Sequence, residues 1–189
     1  MNFQKYSDNF INATLLPFIS RKVTPNQVSW LRIASIPFIY YLLINESYTW
    51  GFIVFSIAAL TDALDGAMAR KRDQETELGK VLDAVADRGL IGLMALIFIP
   101  KYFGWNLLFI MIILEVLNGA MAQISKKRIG MNPGANWGGK IKMLIQCLAF
   151  IIIFIGIFVN SNSYFETSKI LLYISLIFTL LQSFLYPKK

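Results

Sequence analysis

Four aspartates stand inside otherwise apolar stretches of this 189-residue chain: Asp62, Asp65, Asp83 and Asp87. One charged side chain at the centre of a membrane helix costs about 2.5–3.5 kcal/mol on insertion scales. Four are therefore a functional feature. Asp62 and Asp65 are three residues apart and Asp83 and Asp87 four, intervals that put each pair on one helix face. The polar connection over 70–78 is short, so the two helices are antiparallel neighbours. Asp62 precedes Arg70 by eight residues and Asp87 follows Gly79 by eight. At 1.5 Å per residue each lies about 12 Å into its helix, so the four acids share one depth. Carboxylates this close repel and need protons or cations to neutralise them. Ligation by oxygen alone selects hard divalent ions, Mg²⁺, Mn²⁺ or Ca²⁺. Two such ions can bridge a pyrophosphate and stabilise attacking and leaving oxygens alike. The structural alternative is an Asp–Arg network on Arg70 and Arg88, but two arginines do not neutralise four acids.

Small residues surround the acids. Gly66 follows Asp65, and Ala63, Ala67 and Ala69 keep that helix thin; Gly79, Ala84 and Ala86 do the same opposite. Small side chains admit a second backbone or a flat ligand. A glycine inside a helix costs about 1 kcal/mol, which makes Gly66 the most telling of them. Other chemistries are excluded. The chain has no His, which removes a Ser-His-Asp triad and a His-bound zinc or haem. Its one cysteine, Cys147, has no partner for an internal disulfide.

The elements that position the acids are apolar. Hydrophobic residues make up 56% of the chain and charged ones 15%, against about 45–50% and about 25% in soluble domains. The class is all-α: a polytopic membrane protein and a single domain over 1–189. Six stretches approach the roughly 20 residues a spanning helix needs: Asn26–Asn45, Tyr48–Ala69, Gly79–Ile99, Gly104–Ile124, Gly139–Val159 and Thr167–Tyr186. They form a six-helix bundle over 26–186. Residues 1–22 are too short and polar to span; Phe3, Tyr6, Phe10, Ala13 and Pro17 fall at helical spacing, so an amphipathic helix lying in the interface is expected there. The basic residues alternate. One set of ends holds Lys5, Arg21, Lys22, Arg70, Lys71, Arg72, Lys126, Lys127, Arg128, Lys188 and Lys189, and the other only Lys101 and Lys169. The positive-inside rule then makes both termini, and the acids, cytoplasmic. The net charge of +7 reports loops at an anionic membrane surface, not nucleic acid.

Read together, the residues are Asp62-x-x-Asp65-Gly66-x-x-Ala69-Arg70, eight residues, then Gly79-x-x-x-Asp83-x-x-x-Asp87. This resembles the signature of the CDP-alcohol phosphatidyltransferases at every specified position. Six spans, an interfacial N-terminal helix, and Thr24-Pro25-Asn26 followed by Arg32 add to the likeness. The resemblance implies phospholipid synthesis in a bacterial-type cell membrane. An acceptor hydroxyl attacks the β-phosphorus of a CDP-linked donor, usually CDP-diacylglycerol, and CMP leaves. It also implies that Asp62, Asp65 and Asp83 hold Mg²⁺ or Mn²⁺, two ions in all. Asp87 would complete the metal site and act as general base. Asn26, Asp62, Gly66, Ala69, Arg70 and Gly79 would contact the cytidine diphosphate, and the enzyme would be a homodimer.

The acceptor is read from basic residues. Gly138-Gly139-Lys140-Ile141-Lys142 opens the fifth span and resembles the Gly-Lys-x-Lys segment of the phosphatidylglycerophosphate synthase branch. That likeness implies a phosphorylated alcohol, glycerol 3-phosphate first, held by Lys140, Lys142 and Arg32. Residues i and i+2 of a helix lie about 200° apart, so at most one of the two lysines points inward. The sequence departs from that branch at Leu114, where Arg precedes Glu in its members, and at Met143, where Thr is usual. Inositol phosphate, serine and phosphatidylglycerol are the alternative acceptors. Two other classes remain. A membrane prenyltransferase needs a longer bundle and other Asp spacing. A divalent-cation channel or carrier needs acids strung along a path, whereas here Glu115 is the one acid within a span outside the cluster.

Overall fold

The computed structural model describes residues 24–72, 76–129 and 137–184. All regular structure among them is helical: α1 (Pro25–Ile44), α2 (Tyr48–Arg72), α3 (Glu77–Tyr102), α4 (Trp105–Ile129), α5 (Trp137–Val159) and α6 (Asn162–Phe184). These match the six expected spans within a few residues, except that α4 ends five residues later and α6 begins five residues earlier. The interfacial helix expected over 1–22 lies outside the described residues.

Five helices are long and apolar enough to cross a membrane: α1, α2, α4, α5 and α6. The sixth, α3, has 26 residues, about 39 Å of helix, but its first turns carry Glu77, Lys80, Asp83, Asp87 and Arg88. Leu31, Leu60, Val116, Leu144 and Ile177 are among many large apolar side chains left exposed. Such a surface is normal against lipid and a liability in water. The protein is therefore integral to a membrane.

Local sequence sets the helix ends. Thr24 caps α1: its hydroxyl accepts from the Gln27 amide while the Gln27 side chain accepts from the Thr24 amide. Pro25 occupies the first helical turn, where no intrahelical donor is needed. Three helix-to-helix turns are only two or three residues long, and each holds one residue at positive φ: Glu46, Gly104 and Asn160.

The chain divides into two compact units, Met1–Leu93 and Met94–Lys189, with the boundary inside α3. The first contains α1, α2 and the start of α3. Its buried apolar side chains include Ile39, Leu43, Phe55, Met68, Leu82 and Leu90. α1 and α3 touch at two levels. A side chain on Gly79 would meet Asn26 Oδ1 at 2.6 Å, and one on Gly89 would meet Ile36 Cδ1 at 2.7 Å. Both pairs are 53 residues apart in sequence, so the two helices run parallel in a fixed register. That register sets Arg32 of α1 opposite the stretch between Asp83 and Asp87.

The second unit packs the end of α3 with α4, α5 and α6. Phe98 and Phe154 meet edge to face at 5.2 Å, and Tyr102 stacks on Phe165 at 4.4 Å. Asn118 of α4 donates to the Thr179 carbonyl of α6 at 2.9 Å and accepts from the Ser183 hydroxyl at 2.9 Å. Polar bonds of this kind hold helices together where lipid gives no hydrophobic drive.

Candidate active site

Two helices deliver three carboxylates to one place. Asp62 comes from the second half of α2, and Asp83 and Asp87 from the first turns of α3. One carboxylate oxygen of each lies within 4.8 Å of the others. The i, i+4 spacing of Asp83 and Asp87 does the work expected of it, and the antiparallel α2 brings Asp62 to the same level. Asp65, Gly66 and Arg70 lie on α2, but their side chains are outside the described set.

At the centre of the three acids is a cation. Arg32 Nη1 donates to Asp62 Oδ1 at 3.0 Å, Asp83 Oδ1 at 3.1 Å and Asp87 Oδ1 at 2.7 Å. Arg32 is only 2% exposed, and a buried guanidinium must be paired. Its Nη1 carries two hydrogens and faces three acceptors, so a hydrogen is shared between carboxylates. The acids differ in exposure: the side chains of Asp62 and Asp83 are each 44% exposed and that of Asp87 18%. Arg32, expected toward the acceptor, is thus held by the acids. The Asp–Arg network weighed on Arg70 and Arg88 exists here on Arg32.

The donor set fits a hard divalent ion. It is all oxygen, close-set and open to solvent at Asp62 and Asp83, and one guanidinium leaves the three ionised acids at a net −2.

Next to the cluster, Asn26 and Gly79 form a second feature. Thr76 caps α3, its hydroxyl accepting from the Gly79 amide at 2.9 Å, and Asn26 Nδ2 donates to the same hydroxyl at 3.3 Å. A Cβ on Gly79 would lie 2.6 Å from Asn26 Oδ1, so its missing side chain makes room for Asn26. Both residues were expected near the nucleotide, and they are neighbours. Thr76 was not singled out; the signal was the Thr three residues before Gly79, an N-cap spacing. Ala69 is half-buried on α2.

In the second unit Lys142 and Lys140 separate as helical geometry requires. Lys142 lies on the buried stripe of α5 with Gln146, Ala149 and Ile153 and is 5% exposed; Lys140 is exposed. Lys142 Nζ donates to Glu115 Oε2 of α4 at 2.7 Å. Sequence reasoning noted Glu115 as an isolated intramembrane acid without pairing it. Gly139 backs onto Gln182 of α6, whose Nε2 would lie 3.0 Å from an added Cβ.

With this geometry in view, the comparisons with known proteins are decisive. The model of the CDP-alcohol phosphatidyltransferases matches residues 22–181. The chain belongs to that family. It is also 30% identical over 135 residues to the CDP-diacylglycerol–glycerol-3-phosphate 3-phosphatidyltransferase of Escherichia coli strain K12, covering 66% of this chain and 72% of the relative. The enzymes of the same name from Shigella flexneri serotype 5b and Shigella sonnei match equally, over the same lengths. The protein is accordingly a phosphatidyltransferase of phospholipid synthesis, acting on a CDP-linked substrate and an acceptor alcohol.

Proposed function

We propose that this phosphatidyltransferase makes phosphatidylglycerophosphate from CDP-diacylglycerol and glycerol 3-phosphate, releasing CMP. The observation that carries the chemistry is the convergence of Asp62, Asp83 and Asp87 within 4.8 Å. The likeness to glycerol-3-phosphate enzymes supports the acceptor. Asp62, Asp65, Asp83 and Asp87 would hold Mg²⁺ or Mn²⁺, which would neutralise the pyrophosphate and stabilise the attacking and leaving oxygens. Asp87, the least exposed of the three described acids, takes the proton from the acceptor hydroxyl. That oxygen then bonds to the β-phosphorus, and the bond from this phosphorus to the oxygen of CMP breaks. Asn26, Gly79, Gly66, Ala69 and Arg70 take the cytidine diphosphate. Lys142, with Lys140 outside it, takes the acceptor's phosphate. Exchanging Glu115 for that phosphate keeps the buried ammonium paired at every stage. The site faces the cytoplasm, where CMP is released, and the protein acts as a homodimer.

The test is to give purified protein CDP-diacylglycerol with glycerol 3-phosphate, inositol 1-phosphate, serine or phosphatidylglycerol in turn. CMP release with glycerol 3-phosphate is expected. Release with serine alone would defeat the acceptor assignment, and release with none would defeat the reaction.

A further inference from the structure

We infer that Arg32 is a built-in counter-ion that holds the three acids together before metal arrives and competes with metal for them. The inference rests on the reading of Asp62, Asp83 and Asp87 as metal ligands. Two observations carry it. Arg32 Nη1 lies 2.7–3.1 Å from one oxygen of each acid, so it sits among the atoms a cation would bind. The rest of the side chain is fully buried and anchored by the α1–α3 register, with Asn26 against Gly79 below it and Ile36 against Gly89 above.

The charges explain why such a residue is useful. Three carboxylates gathered in a low-dielectric setting repel one another strongly. One fixed cation lowers that repulsion and keeps the acids gathered. It cannot remain once an ion is bound by the same three oxygens. Mg²⁺ sits about 2.0–2.1 Å from its oxygen ligands, which draws neighbouring ligands to about 3 Å of each other and leaves no space for a nitrogen among them. The guanidinium must give up those contacts. Arg32 therefore stabilises the metal-free protein and weakens metal binding, two effects of opposite sign from one side chain. A merely structural arginine would produce only the first.

The experiment titrates Mn²⁺ into purified, EDTA-stripped protein in lipid nanodiscs and follows the resonance signal of the free ion. Wild type is compared with Arg32→Met, Arg32→Lys and Asp62→Asn, and melting is recorded with and without Mn²⁺. Asp62→Asn should lose most Mn²⁺ binding. Arg32→Met should bind Mn²⁺ at least about tenfold more tightly, the lower end of what a charge-assisted contact contributes. Its metal-free form should melt below wild type, with the gap closing as Mn²⁺ saturates. Arg32→Lys keeps the charge and should stay near wild type in both measurements; it also serves if Arg32→Met folds only with metal present. Equal or weaker Mn²⁺ binding by Arg32→Met would overturn the inference and leave the catalytic reading intact. Undiminished binding by Asp62→Asn would overturn both. Normal Mn²⁺ behaviour without CMP release from any acceptor would defeat the catalytic reading alone.

Discussion

Asp62, Asp83 and Asp87 all accept from the same nitrogen of Arg32, yet they differ in exposure, and the proposed mechanism assigns them different roles on that difference. Asp62 and Asp83 are open enough to exchange ligands with solvent; Asp87 is enclosed. Asp62→Asn and Asp83→Asn should lose metal affinity and activity together. Asp87→Asn should lower kcat far more than it weakens CDP-diacylglycerol binding, because a base acts mainly in the transition state. Steady-state kinetics beside a donor-binding assay distinguish the cases; turnover restored to Asp87→Asn by excess metal would make Asp87 a ligand only. The two lysines divide in the same way. Lys142→Gln should raise the KM for glycerol 3-phosphate roughly 10- to 150-fold, the range of about 1.5–3 kcal/mol for a charge-assisted contact. Lys140→Gln, changing an exposed side chain, should leave KM near wild type. Equal effects would show that burial beside Glu115 has nothing to do with the acceptor.

At the scale of the helices, glycine decides how near α1 stands to α3. Gly79→Ala would put a methyl group 2.6 Å from Asn26 Oδ1, so either the Asn26 side chain or the helix must move. The expected result is weaker donor binding with the protein still folded. Gly92 lies on the same helix with open space where its Cβ would be. Gly92→Ala should therefore leave activity unchanged and raise stability by about 1 kcal/mol or less, the helix-propensity gain. Thermal melting and CDP-diacylglycerol affinity of the two variants separate contact from propensity. The same helices show what a sequence discloses. The meeting of Asp62, Asp83 and Asp87 was legible because helical periodicity and a short connection are local rules. Which of Lys140 and Lys142 turns inward was legible only as an asymmetry, since the spacing sets their angle and not the direction of the core. Arg32 was legible as a cation but not as the partner of the acids. Its place depends on the α1–α3 register, set by side-chain fit across 53 residues of chain, and no local rule reports that.

For the molecule as a whole, charge and helix count have to agree on an orientation. An even number of spans puts both termini on one side. The turns at Asn45–Ser47, Phe103–Gly104 and Asn160–Ser161 carry no basic residue, while the last turns of α2 and α4 hold Arg70-Lys71-Arg72 and Lys126-Lys127-Arg128. Short basic loops stay on the cytoplasmic side during insertion, and there they also meet the anionic leaflet, worth about 1 kcal/mol per basic residue near its surface. The acids of α2 and α3 lie within a few turns of the first basic cluster, so orientation and site access are one question. Single cysteines answer it in a Cys147→Ser background. In intact cells, Ser47→Cys and Ser161→Cys should react with a membrane-impermeant maleimide, and Lys127→Cys should react only after permeabilisation. The reverse pattern would place the carboxylates on the outer face, away from the compartment in which the CDP-linked donor is made and CMP is reused, and the proposed reaction would then lack its substrate.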